Sequence, residues 1–267
     1  MRIDFHTHGK LAKRLPFSTE YTDWLFASAA QAGLDALCLT EHFNTWGFDE
    51  VYGYIAKNYE KDGDTFLCEG LRIFPGMETD IAEGGHILSI GTMEDIVELN
   101  HRLESHKEKE TFLTLEQLLN LFSEYPVLVG MGHPFREGGH VPELPDSLLH
   151  RFDFIDLNGK DMAENAVHTK SQIEAFSSRL GIPYVAGSDT HQACQYGCIC
   201  NRFEKDCRTV EELKNEIAEG AYQIEVKEDI VFQVEAAATL KKALKQIYSL
   251  GGDYVSVLTE KVSGGQQ

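Results

Sequence analysis

Histidines and carboxylates recur in this sequence at the ends of β-like runs, and their spacing suits a shared metal site. His6-Thr7-His8 closes the first run. Residues i and i+2 of a strand face the same way, so both imidazoles can reach one ion. Glu41-His42 follows the second run, and Glu78 follows the third. His133-Pro134 follows the fifth, and Asp189 with His191 follows the seventh, inside Gly187-Ser188-Asp189-Thr190-His191. Each piece alone is weak, since an Asp after a strand commonly caps a helix. Five strand ends that each carry His or an acid, in a chain with only 11 His, form a joint pattern. Imidazole and carboxylate without thiolate suit a cluster of two or three first-row ions.

The elements that must deliver these groups are short. β-like runs fall at Arg2–Phe5, Leu34–Leu39, Leu71–Pro75, His86–Ile90, Pro126–Met131, Phe152–Leu157 and Ile182–Ala186, with an eighth at Gly197–Phe203. Helical patterns fit Glu20–Ala32, Glu50–Glu60, Leu115–Glu124, Glu164–Leu180 and Glu211–Ala218. This alternation reads as an α/β fold with a mostly parallel sheet. In a barrel of such units the C-terminal strand ends converge on one mouth. One interval breaks the pattern: residues 76–86 leave no room for a helix, and Gly84-Gly85 offers turn chemistry. An antiparallel hairpin there brings His86 beside Glu78. The region 95–113, with His101 and His106, reads as a solvated helix or excursion.

Composition narrows the class. Hydrophobic residues make up 42% and charged ones 25%, an ordinary globular balance. Apolar runs such as Pro126–Met131 are far too short to span a bilayer. The opening residues Met1–Phe5 carry no secretory apolar segment, and the reading is a cytoplasmic protein. With 24 basic against 43 acidic residues the net charge is −19, which disfavours a long nucleic acid on the general surface. Six cysteines do not make a disulfide framework. Cys38 and Cys68 read as buried thiols. The spacing of Cys194, Cys198, Cys200 and Cys207 fits neither zinc-knuckle nor ferredoxin patterns, leaving inert or redox-sensitive thiols as the expectation.

The combined motifs resemble the PHP family, named for polymerase and histidinol phosphatase domains. The matching residues are Asp4-Phe5-His6-Thr7-His8, Leu39-Thr40-Glu41-His42, Gly76-Met77-Glu78, Gly132-His133-Pro134 and Gly187–His191, with further similarity at Ile155–Gly159, after Glu164-Asn165, and at Val210–Leu213 through Ile217 and Gly220. Order and spacing agree over roughly residues 1–222. The resemblance implies a distorted seven-stranded (β/α) barrel that holds two or three Mn, Fe or Zn ions and hydrolyses phosphoesters by a metal-activated hydroxide. It implies His6, His8, Glu78 and Asp189 around a first ion, and a second held by the bridging Glu78, His133 and a further His. His86 is our choice for that last ligand, with His101 and His106 as weaker rivals. His42 and His191 resemble ligands of a third ion. Relatives with a full third site carry a further His or Asp after the first motif, whereas this chain reads Gly9-Lys10-Leu11-Ala12-Lys13-Arg14-Leu15. A firm pair with a partly filled third site is the expectation.

Glu78 and Asp189 are thus expected catalytic metal holders, and the leaving group is expected to take a proton from His191 or His42 if the third site is empty, or to be met by the third ion directly. Arg136, Lys160, Lys13 and Arg14 are expected to meet the substrate's phosphate, Asp4 and Asp156 to orient ligand imidazoles, and Phe43 and Trp46 to wall the pocket. His140 reads as rim or plain surface. The substrate expected is a small phosphorylated metabolite or nucleotide. Two other readings stay open: an amidohydrolase-like enzyme acting on C–N bonds, and a metal-binding regulatory module without turnover. The domain reading is a hydrolase domain over 1–225 and an extension over 226–267. The extension carries an amphipathic helix at Val231–Leu250, with Lys241, Lys242 and Lys245 on its solvent side, that could serve as a dimer contact. Ser263–Gln267 is expected to be mobile.

Overall fold

The computed structural model describes residues 1–259, so the expectation for Ser263–Gln267 lies outside the described residues. Eleven strands form one sheet: β1 (Arg2–Thr7), β2 (Ala36–His42), β3 (Glu60–Asp62), β4 (Thr65–Cys68), β5 (Leu71–Asp80), β6 (His86–Ile90), β7 (Leu128–Gly132), β8 (Phe154–Asn158), β9 (Tyr184–Gly187), β10 (Ile199–Phe203) and β11 (Tyr222–Val226). Seven of them, in the order β1-β2-β5-β6-β7-β8-β9, follow one another as ladder partners. The turn after β9 returns to β1: Asp189 N donates to His6 O at 2.7 Å and His8 N to Thr190 O at 3.0 Å. The ring is therefore nearly closed, an α/β barrel as expected, but the sheet has four strands more than seven. The expected eighth run is β10, which pairs antiparallel with the start of β1 and carries β11 outside it. The β3–β4 hairpin, attached to β5, replaces the expected end of the second helix. Gly63, at φ +69°, makes its turn, which the helical pattern of the preceding residues concealed.

Where β1 and β9 are not laddered, the buried Asn201 joins them. Its amide donates to Ile3 O and Ala186 O at 3.1 and 2.9 Å and accepts from Ala186 N at 2.8 Å. β5, β6 and β7 are antiparallel neighbours, and the other ring pairs with full ladders are parallel. The residue 76–86 hairpin forms with Asp80 opposite His86.

Two apolar clusters divide the interior. One holds Ile3, Phe5, Cys38, Phe74, Leu88, Leu128, Phe154 and Val185 with Leu213 and Ile217. The other packs the opposite faces of the strands, such as Leu37, Ile73, Ile87 and Ile155, beneath the helices. Period-two alternation then places Glu78 on the face of Phe74, His86 on that of Leu88, and Asp156 on that of Phe154. β1 departs from the rule: its pairing with β2 moves from Asp4↔Leu37 to Thr7↔Leu39, one extra residue on β1. A bulge of this kind re-aims the following side chains, so that His6 and His8 join the face of Ile3 and Phe5.

The helices are α1 (Thr19–Gln31), α2 (Phe48–Asn58), α3 (Met93–Arg102), α4 (Leu115–Phe122), α5 (Asp146–Leu149), α6 (Gly159–Leu180), α7 (Val210–Glu219), α8 (Ile230–Ser249) and α9 (Tyr254–Thr259). α3 is capped by the Thr92 hydroxyl and buries Ile96, Leu99 and Asn100, so the 95–113 region is only partly the solvated excursion expected. α6 starts at Gly159 and is kinked at Asn165, where its beginning was expected. α8 buries only Ile230, Ala237 and Leu244 and packs against α6 and the turn Ala193–Gln195. Lys242 and Lys245 are exposed as expected, Lys241 is half-buried, and all three also line a cavity beside His191.

Candidate metal centre

Glu78 is the hub. It is 1% exposed, at the mouth end of β5, and imidazoles surround it. His86 Nδ1 and His133 Nε2 lie 2.5 and 3.2 Å from Oε1, and His42 Nδ1 lies 2.8 Å from Oε2. His6 Nε2 is 3.4 Å from Oε1 and His8 Nε2 is 3.5 Å from Oε2. Asp189 Oδ1 stands 3.3 Å from His8 Nε2 and 3.9 Å from His6 Nε2. Three groups emerge whose donor atoms lie within 4.8 Å of one another: His6, His8 and Asp189; Glu78, His86 and His133; His8, His42 and His191.

Polar atoms here are close yet unbonded. His6 Nε2, both nitrogens of His8, His42 Nδ1 and Glu78 Oε2 are buried without a hydrogen-bond partner. Buried polar groups are otherwise nearly always paired, so this set of orphans, all of them metal-donor types, fits divalent cations. The backbone is also forced locally. His133 has φ +29° and Asp189 φ +54°, conformations that side chains with a Cβ seldom adopt and that tend to cluster at functional sites.

The surrounding groups fix the ligands. Asp156 Oδ2 meets His6 Nδ1 at 2.9 Å and accepts from His133 N at 3.2 Å and Asn158 Nδ2 at 2.9 Å. His191 Nδ1 donates to Lys10 O at 2.8 Å, which leaves Nε2 for the cluster. Asp4 Oδ1 accepts from His6 N and Ser188 N and so holds the β1 bulge against β9, acting on the backbone rather than on an imidazole. Glu41 accepts from Gly9 N and His42 N, both at 3.1 Å, and belongs to none of the three groups. Gly187 leaves the space His6 needs, because a Cβ there would fall 2.4 Å from His6 Cβ.

Charge is balanced in the same way. Burial alone would push the Glu78 carboxyl up, but the imidazoles of His86, His42 and His6 hold it well below the usual carboxylate range. Burial likewise opposes ionisation of Asp189, and Lys160, His6 and Arg136 outweigh it. Burial, then His8, Lys241 and Lys160, keep His191 neutral.

Other expectations fare differently. Arg136 spends three N–H groups on protein: Nη1 on Asp189 Oδ2, Nε on Asp161 Oδ1 and Nη2 on Asn158 Oδ1, each at 2.8 Å. Lys160 Nζ is 2.8 Å from Asp189 Oδ1. Lys13 lies 3.7 Å from Asp80, whose other oxygen meets His86 Nε2 at 3.0 Å, and Arg14 is exposed. The cation nearest the first motif is Lys10 instead, buried and bonded to Thr45 Oγ1 and Trp46 O. His101 pairs with Asp49 and His106 with Thr111 O at the surface, away from the cluster. His140 is exposed beside Glu143. Phe43 is core, edge-on to Phe112, while Trp46 is 60% exposed on a separate groove with Lys13 and Arg14. Among the described residues no cysteine joins a metal-holding group. Cys198, Cys200 and Cys207 are buried, and burial raises their thiols. Sequence reasoning missed Asp80, although it sits two residues from Glu78 on the same strand face. It also missed the lysines of α8, whose only signal was a basic stripe far from every motif.

A PHP-associated family model matches residues 168–222. Solved structures share the fold. PsfC from Pseudomonas syringae aligns with a TM-score of 0.74 at 20% identity, covering 91% of this chain and 98% of that one. The lesion-specific endonuclease Q of Pyrococcus furiosus aligns at 0.61 with 24% identity, over 84% of this chain but only 57% of the endonuclease. A structure of endonuclease Q holds a 27-mer duplex with an abasic lesion at its active site. A two-domain Bacteroides vulgatus protein containing a "predicted PHP-like metal-dependent phosphoesterase" aligns at 0.51 with 15% identity, over 88% of this chain and 69% of that one. No curated protein matches the sequence. The family model covers that one segment of the chain, and at 15–24% identity the solved structures show a shared fold. No described helix is long and apolar enough to cross a membrane.

Proposed function

We propose that this protein is a metal-dependent phosphoesterase that releases phosphate from a small phosphorylated molecule. The observation that carries the reading is the set of orphaned imidazole and carboxylate atoms around Glu78, with the cations Lys160 and Arg136 beside it. In this reading His6, His8 and Asp189 hold one divalent ion, and Glu78, His86 and His133 hold a second. His8, His42 and His191 offer a third place whose neighbouring carboxylate, Glu78, and whose His8 are both shared with the other groups, so an ion there would bind more weakly. Bound ions would polarise the phosphoryl oxygens and acidify a water. Mn, Fe and Zn all suit such donors.

The chain's own residues supply the rest. Glu78 stands between the groups, Oε1 towards His86, His133 and His6 and Oε2 towards His42 and His8, and would be shared by the ions they hold. Arg136 holds Asp189 in place and keeps two N–H groups for a phosphate oxygen. Lys160, at the edge of the α8 cavity, neutralises charge on the ester. His42 is the group we assign to protonating the leaving oxygen when the third place holds no ion. Lys13 and Arg14 lie on the neighbouring groove, where they could meet a longer substrate.

Residues 1–225 would form the hydrolase domain and 226–267 an extension over its mouth. Six unpaired cysteines suit a reducing compartment, and we place the protein in the cytoplasm. The net charge of −19 favours a small substrate over the DNA that endonuclease Q binds. The test is a panel on protein loaded with Mn or Zn: p-nitrophenyl phosphate, its bis-ester, an amide and duplex DNA with an abasic site. Release of phosphate from the monoester is expected. Amide turnover alone, strand cleavage alone, or no turnover on a broad metabolite library would each overturn the reading.

A further inference from the structure

The extension after β11 reaches back over the mouth of the barrel. One face of α8 contributes Val234, Ala237, Ala238, Lys241, Lys242 and Lys245, which recur at three- and four-residue steps and so form a single helical stripe. That stripe closes a cavity of about 680 Å³ whose far wall includes His191, Lys160 and Gln192. The cavity thus opens directly onto the metal-donor cluster. Its lining is apolar at one end of the stripe and cationic at the other.

The three lysines of the stripe have no carboxylate within ion-pairing distance among the described residues, although acids outnumber bases 43 to 24 in the chain. Lys160, by contrast, is spent on Asp189. Lys241 is the most buried of the three, and burial together with the charges of Lys160 and Lys245 disfavours its ionised form, only partly offset by Asp189 and Glu41. Gathering like charges around a cavity is costly unless an anion enters. The last turn of α8 holds no basic residue, so the helix dipole does not account for the three lysines.

We infer that α8 forms a second anion subsite, and that the substrate is a small phosphate ester carrying a further phosphate or carboxylate that Lys241, Lys242 and Lys245 receive. The apolar part of the stripe fits the carbon skeleton between the two anions. The proposal rests on the phosphoester reading for the first anion only. The extension is then a specificity element, which a basic stripe on a surface helix would not be.

The experiment compares alkyl monophosphates with α,ω-alkanediol bisphosphates and ω-phosphooxy carboxylates of three to six carbons. The readout is kcat/KM on metal-loaded enzyme and, separately, calorimetric binding of butanediol bisphosphate to metal-free protein. The doubly anionic compounds are expected to be preferred. Lys242→Gln with Lys245→Gln, both exposed and so safe for folding, is expected to cut that preference about ten- to a hundredfold, the scale of a charge-assisted hydrogen bond. Lys241→Gln should do the same. The binding arm stands even if no ester is turned over, so loss of activity alone counts against the phosphoesterase reading and leaves the subsite to the calorimeter. An unchanged preference together with unchanged bisphosphate binding in the double variant would overturn the subsite. A preference for bisphosphates but not carboxylates would assign the second group as phosphate, and the reverse as carboxylate.

Discussion

Asp156 offers the sharpest test of how the centre is built. Its Oδ2 is the common acceptor of His6 Nδ1 at 2.9 Å, Asn158 Nδ2 at 2.9 Å and His133 N at 3.2 Å, all without water access. Asp156→Ala removes all three bonds, freeing the ring of His6 and the backbone N–H that sets His133 in place. Loss of such an orienting carboxylate typically costs 10- to 100-fold in metal affinity, roughly 1.4–2.7 kcal/mol. The metal-free fold loses stability too, because each stranded buried donor costs about 1–3 kcal/mol. Water entering the vacated space limits the total to about 3 kcal/mol. Asp156→Asn separates charge from geometry. Its amide oxygen can take the Oδ2 place while its NH₂ falls where Oδ1 now has no partner. The Asn variant should therefore keep most of the stability and lose only about tenfold in affinity. Zinc titration against a competing chromophoric chelator reads the affinity, and urea unfolding with chelator present reads the fold. An Ala variant that binds zinc as tightly as the parent protein would refute the claim that Asp156 orients the ligands.

Further outcomes follow from the same geometry. Glu78→Gln should lower bound metal, as measured by elemental analysis, and reduce phosphate release at least a thousandfold; retained turnover would remove Glu78 from the bridging place. Gly187→Ala would set a Cβ 2.4 Å from His6 Cβ and 2.7 Å from Asp156 Oδ1, so urea unfolding should register about 1–3 kcal/mol of overpacking together with weaker zinc binding. Arg136→Lys loses the fork that joins Asp189, Asp161 and Asn158; metal affinity should fall more than KM rises, and the opposite split would assign Arg136 to substrate alone. Ions a thousandfold above their Kd add about 4 kcal/mol, so a chelator should lower Tm by roughly 8–16 °C, visible by calorimetry.

The convergence of the candidate donors was legible because His and acid residues have a recognisable place after strands. The hairpin argument placed His86 beside Glu78 from loop length alone, and the structure sets them 2.5 Å apart. The β1 bulge was not legible. His-x-His marks a shared face whether or not an extra residue precedes it, and only the pairing with β2 reveals the slip between Asp4 and Thr7. The β3–β4 hairpin was masked by the helical pattern of Glu50–Glu60, which tertiary contact with β5 overrides. Lys241, Lys242 and Lys245 were read correctly as one solvent-facing side of a helix, but the cavity they border was not legible, since periodicity says which residues face together but not what they face. Lys10, rather than Lys13 or Arg14, lies closest to the first motif because the loop after β1 turns inward over Thr45.

The seam between the first and last ring strands has a consequence for how the molecule comes apart. Apart from Asn201, β1 and β9 are stitched at the donor loops themselves, by the bonds from Asp189 N to His6 O and from His8 N to Thr190 O. An ion held by His6, His8 and Asp189 spans that same junction and would act as its rivet. Opening of the cylinder and escape of the ion would then be a single event. Amide exchange at His8 and Asp189 should slow in step with metal occupancy, while exchange elsewhere in the ring follows global unfolding.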